Sequence, residues 1–156
     1  MADMVTVHHF DGGSSEVEAT KLQWRPSAYG IIINDGKLLL LKQTNGYDLP
    51  GGGLDLGESI EAAVIREVKE ESGLEVANPK LLAATSSFYK PHLTDNKYVQ
   101  TLMFYYECDL VGGEINNSGF DEWEQEYAIG AEWVPLTELD KLQIGTSVDF
   151  RKYIPR

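Results

Sequence analysis

The fold prediction depends on the stretch Leu49–Glu75, which reads LPGGGLDLGESIEAAVIREVKEESGLE. Three consecutive glycines, Gly51–Gly53, stop a short strand pattern and let the backbone approach a ligand without side-chain obstruction. Helical spacing then runs from Ser59 to Ser72, and Gly73 stands where a helix C-cap glycine belongs. The stretch therefore predicts a glycine loop that leads into a helix, although a strained turn explains the glycines equally well.

The predicted helix separates apolar residues from acidic residues. On a wheel of about 100° per residue, one sector holds Val64, Ile65 and Val68. Another sector holds Glu67, Glu70 and Glu71. Like charges at this spacing repel by roughly a few tenths of a kcal/mol per pair when they are exposed. Carboxylate oxygens are the ligands that Mg²⁺ prefers, so a divalent ion would turn this repulsion into attraction.

A solvated acidic helix face is the alternative interpretation, with Arg66 and Glu70 forming an ordinary i,i+4 ion pair. The glutamates taken alone favour this alternative. The adjoining glycine loop changes the balance, because its free carbonyl and N–H groups can approach a ligand closely. A glycine loop running into a carboxylate helix therefore suggests a site for a metal ion and a phosphate.

The composition predicts one soluble domain. The chain has 156 residues, of which 42% are apolar and 24% are charged, as in ordinary globular proteins. It has no apolar run of membrane-spanning length. Met1–Phe10 lacks the basic start and apolar stretch of a signal peptide. A single cysteine, Cys108, cannot form an internal disulfide, so we expect a cytoplasmic protein that does not associate with membranes.

The net charge of −12 arises from 25 acidic and 13 basic residues. Such a surface repels the phosphate backbone of a long nucleic acid, so we expect no nucleic-acid polymer as a partner. A small anionic ligand remains possible where a positive group is placed locally. Arginine, lysine or bound metal ions could supply that group.

The strand and turn patterns predict a central sheet with helices packed on its faces. Strands are predicted at Met4–Phe10, Tyr29–Ile33, Lys37–Lys42, Tyr47–Leu49, Leu81–Tyr89, Tyr98–Leu110 and Glu132–Pro135. Asn34–Gly36 has the composition of a hairpin turn, and Asp11–Glu18 and Pro91–Lys97 are predicted to be loops. Asn116–Tyr127 is acidic and has no clear period, and Thr137 is expected to cap a second helix.

The spacing within Gly52–Leu74 resembles the signature of the Nudix hydrolases at every defined position. Gly52 is followed after five residues by Glu58, after seven more by Arg66-Glu67-Val68, and then by Glu70-Glu71 and Gly73-Leu74. The flanking segments GIIINDGKLLLLKQTNGYDLPGG and EWVPLTEL are similar to that family more loosely. The resemblance extends from about Ser27 to Leu142. We interpret residues 1–156 as a single domain in which residues 1–26 form an N-terminal extension of uncertain role.

The resemblance implies an α/β (α+β) fold, an α/β/α sandwich around a mixed β-sheet. It also implies hydrolysis of a nucleoside diphosphate linked to another group, with Mg²⁺ or Mn²⁺ as the cofactor. Glu67, Glu70 and Glu71 would hold the metal ions, and the Gly52 carbonyl would add a ligand. Glu58 would support the loop or a second ion through water.

The resemblance also implies the catalytic residues. Arg66 would orient Glu67 rather than touch the substrate. The general base is either a glutamate of the helix or a glutamate from the loop before EWVPL, where Glu122, Glu124 and Glu126 lie. Glu126 is preferred among the three, and three solvated loop charges are an equally good interpretation.

The substrate class stays open at this point. A nucleoside triphosphate is the first expectation, and ADP-ribose, other nucleotide sugars and dinucleoside polyphosphates are alternatives. A non-catalytic nucleotide sensor is less favoured, because Gly52–Leu74 retains all its glutamates. A purely structural acidic domain is a third hypothesis. Arg25, Lys90 and Lys97 are candidates for phosphate contacts. Candidates for base stacking are Trp24, Phe88, Tyr89, Trp123 and Tyr127. We expect a monomer or a homodimer.

Overall fold

The structure is a computed structural model that describes residues 2–91 and 97–155. Its first strands are β1 (Met4–His9), β2 (Ser14–Glu18), β3 (Leu22–Ile31), β4 (Ile33–Asn34), β5 (Lys37–Gln43), β6 (Gly46–Asp48) and β7 (Gly51–Gly53). They are followed by α1 (Ile60–Ser72), β8 (Leu74–Lys90), β9 (Tyr98–Gly113), α2 (Glu124–Tyr127) and β10 (Ala128–Pro135). Short 3₁₀ helices span Ala19–Lys21, Leu136–Lys141 and Phe150–Tyr153. Residues 92–96 of the predicted loop Pro91–Lys97 lie outside the described part.

Two sheets form the framework. The larger is a six-stranded mixed sheet in the order β2-β1-β8-β9-β3-β7, in which β1 pairs in parallel with β8 and β3 in parallel with β9. The smaller is antiparallel in the order β10-β5-β4, with β6 also paired to β5. A mixed sheet with a helix packed on it is the α/β architecture that the sequence predicts.

The central strand β5 is buried on both faces. Its odd-numbered leucines, Leu39 and Leu41, share a core cluster with Val64 and Val68 of α1. Its even-numbered leucines share a second cluster with Phe150 near the C-terminal end. A continuous apolar run is typical of a strand that is covered on both faces. The sheet thus holds α1 firmly, and with it the acidic residues that α1 carries.

Helix α1 begins and ends where the sequence predicts. The Ser59 hydroxyl accepts a hydrogen bond from the Ala62 N–H at 3.1 Å, which caps the N-terminus. Gly73 has a φ of 79°, the left-handed conformation of a C-cap glycine. The predicted packing face is confirmed for Val64 and Val68, which are fully buried. It is wrong for Ile65, which is 37% exposed.

Three other predictions need correction. The loop predicted for Asp11–Glu18 contains β2, which pairs with β1 although only Val17 of that strand is buried. Strand β3 begins at Leu22, seven residues before the predicted start at Tyr29, because its mostly exposed first half pairs in parallel with β9. Thr137 does not cap a helix, since it lies inside a 3₁₀ helix whose N-cap is Pro135.

Candidate active site

A pocket of about 780 Å³ opens where the glycine loop meets the acidic face of α1. One wall is formed by Gly51–Gly53, by α1, and by the segment that carries Glu124 and Tyr127. Arg25 and Tyr89 also line this pocket. The predicted loop and helix therefore do line one cavity.

Three glutamates converge in this pocket, and we call them the carboxylate cluster: Glu67, Glu71 and Glu124. One carboxylate oxygen of each lies within 4.8 Å of the others. Glu67 and Glu71 are 6% and 3% exposed, so their charges are shielded from water. Closely spaced carboxylate oxygens in such a setting fit a divalent cation, which takes oxygen ligands and neutralises their mutual repulsion.

The pKa values of the cluster reflect this burial. Burial raises the pKa of Glu67 to about 7, against the opposing effect of its hydrogen bond from Arg66. Burial, followed by the negative charges of Glu67 and Glu124, raises the pKa of Glu71 well above its ordinary value. The pKa of Glu124 is also raised, chiefly by burial. Without a cation, the cluster therefore retains protons that ordinary carboxyl groups lose.

The glycine loop lies directly against the two buried glutamates. The Gly51 N–H donates a hydrogen bond of 2.7 Å to Glu71 Oε2. A Cβ atom on Gly52 would stand 2.9 Å from Glu67 Oε1, a separation that side chains do not tolerate. Glycine at position 52 is therefore required for the close approach between loop and helix.

Arg66 joins the loop to the helix. Its Nε and Nη2 donate to the two oxygens of Glu58 at 2.7 and 2.9 Å, and this pairing lowers the pKa of Glu58 to about 2. Its Nη1 donates to Glu67 at 2.9 Å and to Glu70 at 3.1 Å. Nη2 also donates to the Gly53 carbonyl at 3.2 Å. The guanidinium thus holds Glu67 in place, in the geometry that an orienting role requires.

Glu70 stands apart from the carboxylate cluster. It lines the pocket, but its side chain is 44% exposed and is paired with Arg66. Of the three helical glutamates that are predicted to bind metal, the structure therefore brings Glu67 and Glu71 together, whereas Glu70 pairs with Arg66.

The loop before β10 contributes Glu124 to the cluster. Glu122 and Glu126 are exposed, and the pocket wall takes Trp123, Glu124 and Tyr127 from this segment. The Asp121 carboxylate accepts hydrogen bonds from the N–H groups of Trp123 and Glu124 at 2.9 and 2.7 Å. The sequence preference for Glu126 rests on distance along the chain. Asp121 thus holds the turn that carries Glu124, but no local sequence pattern marks Glu124 for the pocket, because its arrival there depends on tertiary packing.

Of the other predicted candidates, Arg25, Tyr89, Lys90 and Lys97 all line the pocket. The aromatic candidate Trp24 lies on the surface, where it is 69% exposed. Cys108 is buried in the core.

The N-terminal hairpin, whose role the sequence leaves open between a dimer arm and a cover over the site, also forms part of the pocket. His8, His9 and Phe10 line the cavity, and His8 pairs with Tyr89 in the parallel β1–β8 ladder. The Phe10 ring packs edge-on against Tyr127, with 5.4 Å between the ring centroids. The sequence carries no signal for this placement, because it depends on the pairing of β1 with β8, two strands that are distant in sequence.

Comparison with known proteins places the chain in a family. A model of the NUDIX domain matches residues 24–155. The chain belongs to the Nudix family. ADP-ribose pyrophosphatase from Methanocaldococcus jannaschii is 37% identical over 118 residues, which cover 72% of this chain and 63% of that protein. The matched regions cover between 50% and 64% of the length of three such curated relatives.

Solved Nudix structures share the fold. A Nudix hydrolase from Nitrosomonas europaea superposes with a TM-score of 0.64 at 21% identity, over 83% of this chain and 84% of that one. A MutT Nudix hydrolase from Burkholderia pseudomallei superposes with a TM-score of 0.57 at 25% identity, over 74% and 85% of the two chains. These matches confirm the Nudix-like fold that the resemblance implies. In the described part of the chain, no helix combines the length and the apolar character needed to cross a membrane.

Proposed function

We propose that this Nudix protein is a metal-dependent hydrolase that cleaves the pyrophosphate linkage of a nucleoside diphosphate joined to another group. The observation that carries the proposal is the carboxylate cluster. Two of its glutamates are almost fully buried beside a glycine loop whose residue 52 leaves no room for a side chain. A scaffold has no need to bury carboxylates together, because their desolvation and repulsion reduce stability.

The donor set fits Mg²⁺ or Mn²⁺. Glu67 and Glu71 would hold the ion with the Gly52 carbonyl, and Glu70 would serve a further ion at the pocket mouth. When bound, such ions supply charge neutralisation at the phosphates and lower the pKa of water. The fit rests on the hard oxygen donors and on the raised pKa values that a cation would reverse.

The remaining groups of the site have separate tasks. Arg66 positions Glu67 and the glycine loop through its hydrogen bonds, so it acts through other residues. Glu124 faces the helical glutamates from a different element, and we assign it the task of accepting a proton from the attacking water at a carboxylate oxygen. A carboxyl group with a raised pKa is a better proton acceptor near neutral pH than an ordinary one.

Two substrate classes are candidates. Nucleoside triphosphates, including oxidised purine forms, are the class that we expect first. ADP-ribose is the second, because a relative of 37% identity bears the name ADP-ribose pyrophosphatase. Both classes present a diphosphate to the carboxylate cluster, and both are small enough for a pocket of about 780 Å³.

A panel of nucleotides tests the proposal. Nucleoside triphosphates, an oxidised purine triphosphate, ADP-ribose and a dinucleoside polyphosphate are incubated with Mg²⁺ or Mn²⁺, and the products are separated and identified. We expect metal-dependent release of a nucleoside monophosphate from at least one class. Glu71→Gln should lower that turnover by roughly 100-fold or more, as loss of a catalytic group does. Absence of turnover with every class, or equal turnover by Glu71→Gln, would reject the proposal.

A further inference from the structure

Arg25 differs from the other two arginines that the structure describes in having no carboxylate partner. In residues 2–91 and 97–155, Arg66 pairs with Glu58 and Arg151 pairs with Asp149. Arg25 forms no such ion pair with a described carboxylate, although the chain has 25 acidic residues. Its Nη1 donates to two neutral hydroxyl groups, Ser27 Oγ at 3.0 Å and Tyr89 OH at 2.8 Å. Burial of a charge without a counter-ion is costly, and this half-buried cation has only neutral hydrogen-bond partners. The arrangement therefore lacks an anionic partner.

The free edge of this guanidinium faces the glycine loop. An arginine has five N–H donors, and the two on Nη1 are occupied by the hydroxyl groups. Among the described residues, Nε and Nη2 have no hydrogen-bond acceptor. A Cβ on Gly53 would lie 3.3 Å from Nη2 and 3.4 Å from Nε, so the glycine leaves space beside this edge. The Nε–Nη2 edge is the fork that binds two oxygens of a phosphate at once.

The guanidinium is also held in position. Ser27, which accepts from Arg25, is fully buried and shares a hydrogen bond of 3.2 Å with Thr101. Ser27 and Thr101 lie on neighbouring strands, β3 and β9, in the middle of the larger sheet. Tyr89 fixes the same nitrogen from β8. The charge is therefore pre-oriented, which reduces the entropy lost when a ligand binds.

Arg25 lies close to the carboxylate cluster. Consecutive glycines separate the two, since Gly52 contacts the Glu67 carboxylate and Gly53 contacts the guanidinium. Lys90 and Lys97 line the same pocket and add positive charge. The acidic side chains of α1 and the Arg25 guanidinium of β3 thus flank the same glycine loop, within reach of one diphosphate group.

We propose that Arg25 is a phosphate-binding residue whose Nε–Nη2 edge binds the phosphate of the substrate that lies farther from the carboxylate cluster. The proposal rests on the proposed function for the nature of the ligand. In it, Ser27 and Tyr89 are positioning residues, and the substrate is a molecule that carries two adjacent phosphates.

Binding of methylenediphosphonate, a diphosphate analogue that cannot be hydrolysed, tests this subsite. Calorimetric titrations with Mg²⁺ compare the wild-type protein with Arg25→Gln, Arg25→Lys and Arg151→Gln. Arg25→Gln should weaken binding by about tenfold or more, because hydrogen bonds to charged groups are lost. Arg25→Lys should weaken it by about threefold or more, since lysine keeps the charge but has no fork. Arg151→Gln removes the same charge on a distant surface and should change the affinity by less than about twofold.

The outcomes separate this subsite from the proposed function. Affinity within twofold of the wild type in both Arg25 variants would overturn the subsite, whatever the nucleotide panel shows. Arg25-dependent binding without turnover of any nucleotide would support the subsite and reject the hydrolase. Thermal melts of each variant check folding, and Arg25→Lys decides the question if Arg25→Gln does not fold.

Discussion

At the residue scale, the first prediction concerns which glutamate accepts the proton from the attacking water. Glu124 and Glu126 lie on the same one-turn helix, but Glu124 joins the carboxylate cluster and Glu126 is exposed. We expect Glu124→Gln to lower kcat by about 100-fold or more, because general-base catalysis contributes about that factor. Glu126→Gln is the matched control, and its kcat should stay within about twofold. A larger loss in Glu126→Gln than in Glu124→Gln would restore the preference for Glu126 that the sequence suggests.

A second prediction at this scale concerns the glycine that faces Glu67. In Gly52→Ala the new Cβ would stand 2.9 Å from Glu67 Oε1, so the carboxylate must shift from its present position. We expect kcat to fall by about tenfold or more, since a small misplacement in an active site has large effects on rate. Gly112→Ala is the control, because its Cβ would find its nearest neighbour, a flexible Glu75 oxygen, at 3.8 Å. Equal kcat values in the two variants would show that the close approach of Gly52 to Glu67 does not contribute to catalysis.

At the element scale, local signals were sufficient for the glycine loop and α1. Ser59, Gly73 and the 3.6-residue period act within a few residues of one another, so the sequence alone predicts the helix and its caps. Strand β2 escapes prediction because its residues are mostly polar, and the first half of β3 does so because it is mostly exposed and pairs with β9, which is distant in sequence. The same reason hides the contribution of β1 to the pocket, since only the β1–β8 pairing places it there.

The hairpin of β1 and β2 carries its own prediction. The Phe10 ring contacts Tyr127, which lies on the same one-turn helix as Glu124, and Asn45 donates a hydrogen bond to the Phe10 carbonyl at 3.2 Å. We expect Phe10→Ala to raise KM by roughly two- to tenfold, the range given by the energy of an aromatic pair. Met4→Ala, at the far end of β1 and 55% exposed, should leave KM unchanged. Steady-state kinetics decide the matter, and equal KM values in both variants would show that the hairpin only covers the sheet.

At the scale of the whole molecule, the fold separates a stable framework from a strained site. Strand β5, buried on both faces, and helix α1 supply apolar contacts on either side of the sheet. These contacts offset the free-energy cost of desolvating the carboxylate cluster. No local pattern in the sequence reveals that cost. The spacing of the glutamates is visible in the sequence, whereas their burial and the arrival of Glu124 depend on tertiary packing. Burial raises the pKa values of the cluster, so the site and the stability of the protein are linked through pH.

This linkage has a definite sign. Unfolding returns Glu67 from a pKa of about 7 to its ordinary value of 4.5, so between these values the folded state binds more protons. The free energy of unfolding of the metal-free protein should therefore fall as the pH rises from about 4.5 to 7, by at most about 3 kcal/mol from Glu67. Asp48, whose pKa burial raises to about 7, adds a slope of the same sign. The lowered pKa of Glu58 acts only below 4.5, where its loss of charge weakens the pairing with Arg66.

Thermal melts at pH 5 and pH 7.5 test the linkage. In EDTA, Tm should be lower at pH 7.5, by roughly 5 °C or more for a chain of this size. Mg²⁺ or Mn²⁺ should raise Tm more at pH 7.5 than at pH 5, because protons compete with the cation for the same oxygens. Glu67→Gln should flatten the metal-free profile and reduce the metal response, while Asp48→Asn should flatten the profile and retain the response. A metal response that is equal at both pH values would show that the cation binds away from the buried carboxylates.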